Sequence, residues 1–186
     1  DLINPRTGIT VGQLDARSVF NRIVESAWRN GEPGVIFIDR INRDNPTPDL
    51  GPIESTNPCG EQPLLPYESC VLGSINLARF YRDGGVDYAR LKEVVAIGVR
   101  FLDNIIDKSE FPIPQIKLKT AGNRKIGLGV MGWADLLLAL GIPYDSEEAV
   151  GLAYEVMSFI SQAASQASIE LAEKLIGLTA KLSGGK

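Results

Sequence analysis

Histidine is absent from this 186-residue sequence. That excludes a Ser-His-Asp triad, a histidine general base and a histidine-ligated metal for the chain on its own. Cysteine is scarce: Cys59 and Cys70 are the only two. Two thiols make neither a disulfide framework nor a zinc site. No window holds 18 uninterrupted apolar residues, so no transmembrane helix is expected. Basic charge is not in excess, with 19 Lys and Arg against 23 Asp and Glu and a net charge of −4. This argues against a nucleic-acid-binding protein working through a basic face. The opening Asp-Leu-Ile-Asn-Pro-Arg is no signal peptide and lacks an initiating Met, so a fragment or a processed chain is the expectation.

What is present is ordinary for a globular protein: 44% apolar and 23% charged residues, enough to bury a core. Residues 4–14 read as a turn or short hairpin. A helix should follow, capped by Asp15 or Ser18 and ended by Gly31, with Val19, Phe20, Ile23, Val24, Ala27 and Trp28 at helical spacing. The apolar run Gly34–Asp39 reads as a buried parallel strand. Ser69–Phe80 suggests a second strand, and Asp87 should cap a helix to about Asp107. Residues 124–130 suggest a third strand, Trp133–Leu140 a short helix ended by Gly141, and Ser146 the start of a long helix to about Ile176. The tail Ser183–Lys186 should be floppy. This order of elements is that of an α/β protein. Three strands cannot close a barrel, but they can be a slice of one.

Residues 42–68 stand apart. Pro46, Pro48, Pro52, Pro58, Pro63 and Pro66 exclude an interior helix or central strand there. Loops this long are usually functional or disordered. Ile53, Leu64, Leu65 and Tyr67 need something to pack against, which favours order.

Within this loop, Ser55-Thr-Asn-Pro-Cys-Gly-Glu61 carries the chemistry. In an extended loop, residues i and i+2 point the same way, so Asn57, Cys59 and Glu61 would present an amide, a thiol and a carboxylate to one site. A carboxylate beside a thiol disfavours the thiolate. The trio is therefore poor for a cysteine protease and better suited to a neutral S–H acting by hydrogen-atom transfer, while the glutamate moves a proton. The competing reading is a buried, inert cysteine. Cys70, eleven positions on, reads as a buried strand cysteine, a disulfide partner of Cys59, or half of a redox pair completed outside this chain. Gly127-Leu-Gly-Val-Met-Gly132 has G-x-G-x-x-G spacing, but no acidic ribose partner follows, and close strand–helix packing explains it better. Asp39, Arg40, Arg43 and Asp44 suggest a paired or solvated network at a strand end, and Trp28 and Trp133 suggest core.

The run Asn57-Pro-Cys-Gly-Glu-Gln-Pro-Leu-Leu-Pro-Tyr-Glu-Ser-Cys70-Val-Leu-Gly-Ser-Ile-Asn-Leu77 resembles the active-site region of ribonucleotide reductases. It is most similar to the class II, adenosylcobalamin-dependent catalytic subunit. Phe37–Pro46 and Arg124–Leu137 fit as well, and the resemblance covers residues 1–173. It implies a single fragment over 1–186 of the family's ten-stranded α/β barrel, with residues 42–68 as the finger loop inside it and a long helix over about 146–176. It implies Cys59 as the cysteine that becomes a thiyl radical and takes the ribose 3′ hydrogen. Glu61 would be the carboxylate that takes the 3′-hydroxyl proton, Asn57 the amide that hydrogen-bonds substrate, and Cys70 one redox thiol. Adenosylcobalamin would be the cofactor, with no metal held by this chain's own residues. The partners would be a ribonucleotide and a thiol reductant such as thioredoxin, with no nucleic acid and no membrane, in a cytoplasmic enzyme that is a homodimer when intact.

The departures bound this reading. The family needs a second redox cysteine, and this chain has no third. The specificity loops and the C-terminal reducing cysteines are unmatched, and the run after Glu173 departs from the family. The isolated chain is therefore expected to be inactive. The alternatives are a fragment of a class I large subunit, or a structural or interaction domain with two inert cysteines.

Overall fold

The structure is a computed structural model describing residues 1–183, with side chains described through Lys174. It divides into two compact units, Asp1–Pro66 and a second beginning at Tyr67.

In the first unit, β1 (Leu2–Ile3) pairs antiparallel with β2 (Thr10–Gly12). The turn between them closes through the Asn4 N–H donating to the Ile9 carbonyl at 2.9 Å, as the Pro/Gly punctuation of residues 4–14 anticipates. Helix α1 (Ala16–Asn30) starts where Asp15 accepts from the Ser18 N–H at 2.8 Å and the Ser18 hydroxyl at 2.9 Å. These bonds to its ionised form hold the Asp15 carboxyl below the usual carboxylate range. Gly31, at φ +81°, ends the helix by donating to the Ala27 carbonyl.

Two expectations fail here. Trp28 is not core: it is 88% exposed, Phe20 is exposed as well, and α1 has no buried residue. An amphipathic stripe fixes a helix's face but not what covers it. Residues 34–39 are not a buried strand. Val35, Ile36 and Phe37 are exposed and unladdered, and α2 (Ile38–Arg43) begins inside the run. A short apolar run becomes a strand only where another strand supplies its ladder; here i→i+4 bonding takes over, beginning with the Ile41 N–H on the Phe37 carbonyl. Of the suggested charge network, Arg43 and Asp44 form an exposed ion pair of 3.3 Å at the end of α2, not at a strand end.

The proline-rich loop is ordered by asparagine. The Asn42 amide donates to the Ile53 carbonyl at 2.8 Å and accepts from the Ile53 N–H at 2.7 Å, acting as the strand partner that proline denies the loop. The Asn45 amide spans to the Gly51 carbonyl at 3.1 Å, across a 3-10 turn at Pro48–Leu50. Ile53 and Leu65 are buried, while Tyr67, just beyond, is exposed. Between them β3 (Ser55–Thr56) and β4 (Pro63–Leu64) form a two-residue antiparallel ladder.

In the second unit, β5 (Val71–Asn76) leads through a 3-10 turn at Leu77–Phe80 into a small hairpin, β6 (Tyr81–Arg82) and β7 (Gly85–Val86). Asp83 and Gly84 turn it at φ +50° and +84°; the Asp-Gly pair is its sequence signal. Helix α3 (Tyr88–Lys108) is capped by Asp87, which accepts from the Arg90 N–H at 3.0 Å. Leu91, Val95, Val99, Leu102 and Ile106 are its buried stripe, each worth about 1.5–3 kcal/mol of apolar burial. Helix α4 (Pro114–Asn123) carries its signal in Pro114, placed at the first turn where a missing N–H costs nothing. Then β8 (Ile126–Met131) lies parallel to β5, Val71 opposite Ile126 through Asn76 opposite Met131. Helix α5 (Trp133–Leu140) follows, ended by Gly141, and Trp133 packs against the core as expected. Helix α6 (Glu147–Ser183) packs along α3 and runs beyond Ile176. The tail beyond Ser183 lies outside the described residues.

The glycine-rich run is a packing device. Gly132 sits at φ +71°, and a Cβ there would overlap Asn76 Oδ1 and lie 3.2 Å from the Ala78 nitrogen. Asn76 Oδ1 is already the acceptor for the Ala78 N–H. Gly132→Ala should therefore cost roughly 2–4 kcal/mol in urea unfolding, from left-handed strain plus a displaced cap. Gly141→Ala, at φ +75° with no atom within 4 Å of its Cβ, should cost only the strain, about 1–2 kcal/mol. Equal losses would show that the Asn76 contact contributes nothing.

Candidate functional site

The loop tip is a turn, and this corrects the extended alternation expected for it. The Gly60 N–H donates to the Asn57 carbonyl at 3.1 Å, with Gly60 at φ +86°. Asn-Pro-Cys-Gly is the composition a type I turn favours: Asn first, Pro second, Gly fourth. The turn is closed by an Asn57–Gln62 pair. The Asn57 N–H donates to the Gln62 carbonyl at 3.1 Å, and Asn57 Oδ1 accepts from the Gln62 N–H at 2.9 Å. Asn57 and Cys59 thus lie within one tight turn and Glu61 directly follows it, in place of strand-like alternation.

The consequences differ by residue. The Asn57 carbonyl oxygen is engaged within the turn, so its NH2 is the end left for a ligand, and it can only donate. Cys59 is an exposed thiol at the third turn position. Glu61 is an exposed carboxylate just past the turn. Pro58 fixes the backbone ahead of the thiol. The tip thus carries an amide, an exposed thiol and an exposed carboxylate.

Cys70 lies in the second unit, half-buried and immediately ahead of β5. The corner around it was not legible in the sequence. Glu68, whose side chain is fully buried, pairs with Lys125 Nζ at 2.6 Å and accepts from the Asn123 amide at 2.7 Å. The Ser69 and Thr120 hydroxyls bond each other at 2.7 Å. Arg124, left-handed at φ +49°, caps α4 and reaches Asp103 at 2.7 Å and Asp107 at 2.8 Å on α3. These carboxylates raise its already high pKa further, and Arg124 in turn lowers that of Asp107. The Glu-Ser-Cys run shows polar residues beside a thiol, but partners more than 50 positions away cannot be read from it.

A groove of about 450 Å³ along β5 and α3, lined by Ser74, Asn76, Arg79, Arg90, Phe101 and others, contains none of the four expected site residues. Among the described residues, no group of three His, Cys, Asp or Glu could hold a metal ion, and no helix is long and apolar enough to cross a membrane.

Comparison with known proteins adds a family. The model of the ribonucleotide reductase barrel domain matches residues 3–179, so the departure from the family expected after Glu173 does not hold as far as residue 179. The chain is 58% identical over 173 residues to a vitamin B12-dependent ribonucleoside-diphosphate reductase of Mycobacterium tuberculosis, covering 93% of this chain and 24% of that protein. It is 54% identical over 175 residues to the protein of the same name from Thermoplasma acidophilum, covering 94% of this chain and 23% of that one. Among solved structures, the alpha subunit of the Actinobacillus ureae class Id ribonucleotide reductase matches with a TM-score of 0.67 at 27% identity, over 84% of this chain and 32% of that one. The chain thus spans about a quarter of the length of these curated relatives.

Proposed function

Because the chain belongs to the ribonucleotide reductase barrel family, we propose that it is a contiguous slice of the catalytic barrel of an adenosylcobalamin-dependent ribonucleoside-diphosphate reductase, carrying the finger loop at residues 42–68. The observation that carries this is the Asn57–Gly60 turn, which holds an exposed thiol two residues ahead of an exposed carboxylate. The sequence around it is more than half identical to proteins named as vitamin B12-dependent reductases. That identity favours the cobalamin reading over the class I reading, whose solved counterpart is 27% identical.

The chain's own residues fit the chemistry. Cys59 is exposed at a tight turn, so a bulky group can approach its sulfur. Adenosylcobalamin, when bound, supplies the radical-generating step. Cys59 acts as a neutral thiol that yields its hydrogen atom; its sulfur radical then takes the ribose 3′ hydrogen. Glu61 accepts the 3′-hydroxyl proton as general base. Asn57, with its carbonyl oxygen engaged by Gln62, donates from its NH2 to the substrate. Cys70 supplies one of the two thiols that are oxidised as the 2′-hydroxyl leaves as water; the other lies elsewhere in the whole protein. To the same reading belong a thiol reductant such as thioredoxin, a homodimer and a cytoplasmic setting.

The test is full-length protein with a ribonucleoside diphosphate and a dithiol reductant. Deoxynucleotide should form only with adenosylcobalamin; formation that needs a separate radical-generating subunit would establish the class I alternative. Cys70→Ser should leave radical formation at Cys59 intact, by electron paramagnetic resonance, while repeated turnover stops. Equal loss of the radical in Cys59→Ser and Cys70→Ser would overturn this division of roles.

A further inference from the structure

The turn at the loop tip is closed by more than its backbone. The Asn57 carbonyl accepts from the Gly60 N–H at 3.1 Å. A second donor reaches the same oxygen: the Thr56 hydroxyl, at 2.9 Å. A carbonyl oxygen has two lone pairs, so both are engaged. This oxygen belongs to the Asn57–Pro58 peptide, the unit from which the chain enters Cys59. Gly60 holds that peptide from beyond the turn, and the Thr56 hydroxyl braces it from the strand ahead of it. Thr56 is half-buried, so its bond is partly shielded from competing water.

The tip stands on a short ladder. β3 and β4 form two register pairs, Ser55–Leu64 and Thr56–Pro63, and proline has no N–H to give. The two Asn57–Gln62 bonds follow. One of them uses the Asn57 side-chain oxygen, so the residue proposed to donate to substrate is also part of the clasp. The neighbouring Ser55 hydroxyl is directed to the Thr56 carbonyl, at 3.3 Å. The Thr56 hydroxyl is thus a side-chain group bonded to the turn from outside it.

We propose that Thr56 is a positioning residue for the loop tip: its hydroxyl, bonded to the Asn57 carbonyl, fixes the turn from which Asn57 and Cys59 act. The inference deepens the reductase reading and rests on it. Transfer of a hydrogen atom requires the two reacting atoms to meet in a narrow range of geometry, and a misplacement of about 1 Å costs on the order of 100-fold in rate. The Thr56 hydroxyl donates its hydrogen to the carbonyl, so Thr56 acts through the turn and not on the substrate.

The experiment compares two variants of the full-length protein. Thr56→Val keeps the shape and removes the hydroxyl; Thr56→Ser keeps the hydroxyl. The first readout needs neither cofactor nor substrate: hydrogen–deuterium exchange of the peptide spanning residues 57–62, by mass spectrometry. Thr56→Val should speed exchange there by about two- to tenfold, the worth of one hydrogen bond, while the β5 and α3 peptides stay as in the parent. Thr56→Ser should restore the slow exchange. The second readout is turnover with adenosylcobalamin divided by the Cys59 radical, counted by electron paramagnetic resonance. That ratio should fall by at least about two- to tenfold in Thr56→Val and recover in Thr56→Ser. A merely structural role would lower turnover and radical together and leave the ratio unmoved. Parent-like exchange or an unmoved ratio in Thr56→Val, or equal effects in both variants, would overturn the proposal while an inactive Cys59→Ser left the reductase reading standing. Turnover persisting in Cys59→Ser would instead remove that reading, and the positioning role with it.

Discussion

Cys59→Ser should abolish nucleotide reduction in the full-length enzyme, with deoxynucleotide falling below detection while the fold is retained. The substitution is nearly isosteric, and the side chain it alters is exposed at a turn, so little packing is lost. The Asn57–Gln62 bonds and the Gly60 bond that shape the turn involve no atom of the Cys59 side chain. What changes is the bond to be broken. An alcohol O–H is much stronger than a thiol S–H, and each 1.4 kcal/mol added to a barrier costs about tenfold in rate. Loss should therefore be complete, not partial. Chromatographic assay of deoxynucleotide checks it, with circular dichroism confirming the fold. A variant that keeps even a few per cent of parent turnover would rule out hydrogen-atom transfer at Cys59 and restore the reading of an inert cysteine.

The second large effect concerns stability. Lys125→Met should cost about 3–5 kcal/mol, because it removes the ammonium partner of a carboxylate whose side chain is fully buried. The double variant Glu68→Gln/Lys125→Met should recover most of this, since an apolar or neutral replacement of both partners often matches a buried ion pair. Gln at 68 keeps an oxygen for the Asn123 amide, now 2.7 Å from Glu68. Lys125 is 22% exposed, so the competing outcome is clear: a loss under about 1 kcal/mol in denaturant titration would class the pair with solvated surface bridges.

The two predictions sit at opposite ends of what a sequence can disclose. The Cys59 turn is local. Asn57, Pro58 and Gly60 stand where a tight turn wants them, so the tip was legible even though strand-like alternation was the wrong geometry for it. The caps Asp15, Asp87, Gly31 and Gly141 were legible for the same reason: each bonds or terminates a backbone within a few residues. The apolar stripe of α3 was legible because 3.6-residue periodicity is a property of the chain itself.

The misreadings share one cause. Gly34–Asp39 looked like a strand, but a strand exists only with a neighbour, and none is paired with it. Trp28 looked buried, but α1 carries its stripe without a buried residue. The order of the proline-rich loop came from Asn42 reaching across eleven positions to Ile53, a contact with no periodic signature. Sequence by itself determined the helix caps at Asp15, Asp87, Gly31 and Gly141, the apolar stripe of α3, the α/β class, the family and the residues Asn57, Cys59, Glu61 and Cys70 as candidates. Only the tertiary structure decided that β5 and β8 run parallel in register, that Gly132 is spent on the Asn76 contact, and that Glu68 and Lys125 pair. Local rules act through backbone geometry over a few residues. Pairing, burial and charge compensation depend on which distant segments come together, and that is settled by the fold as a whole.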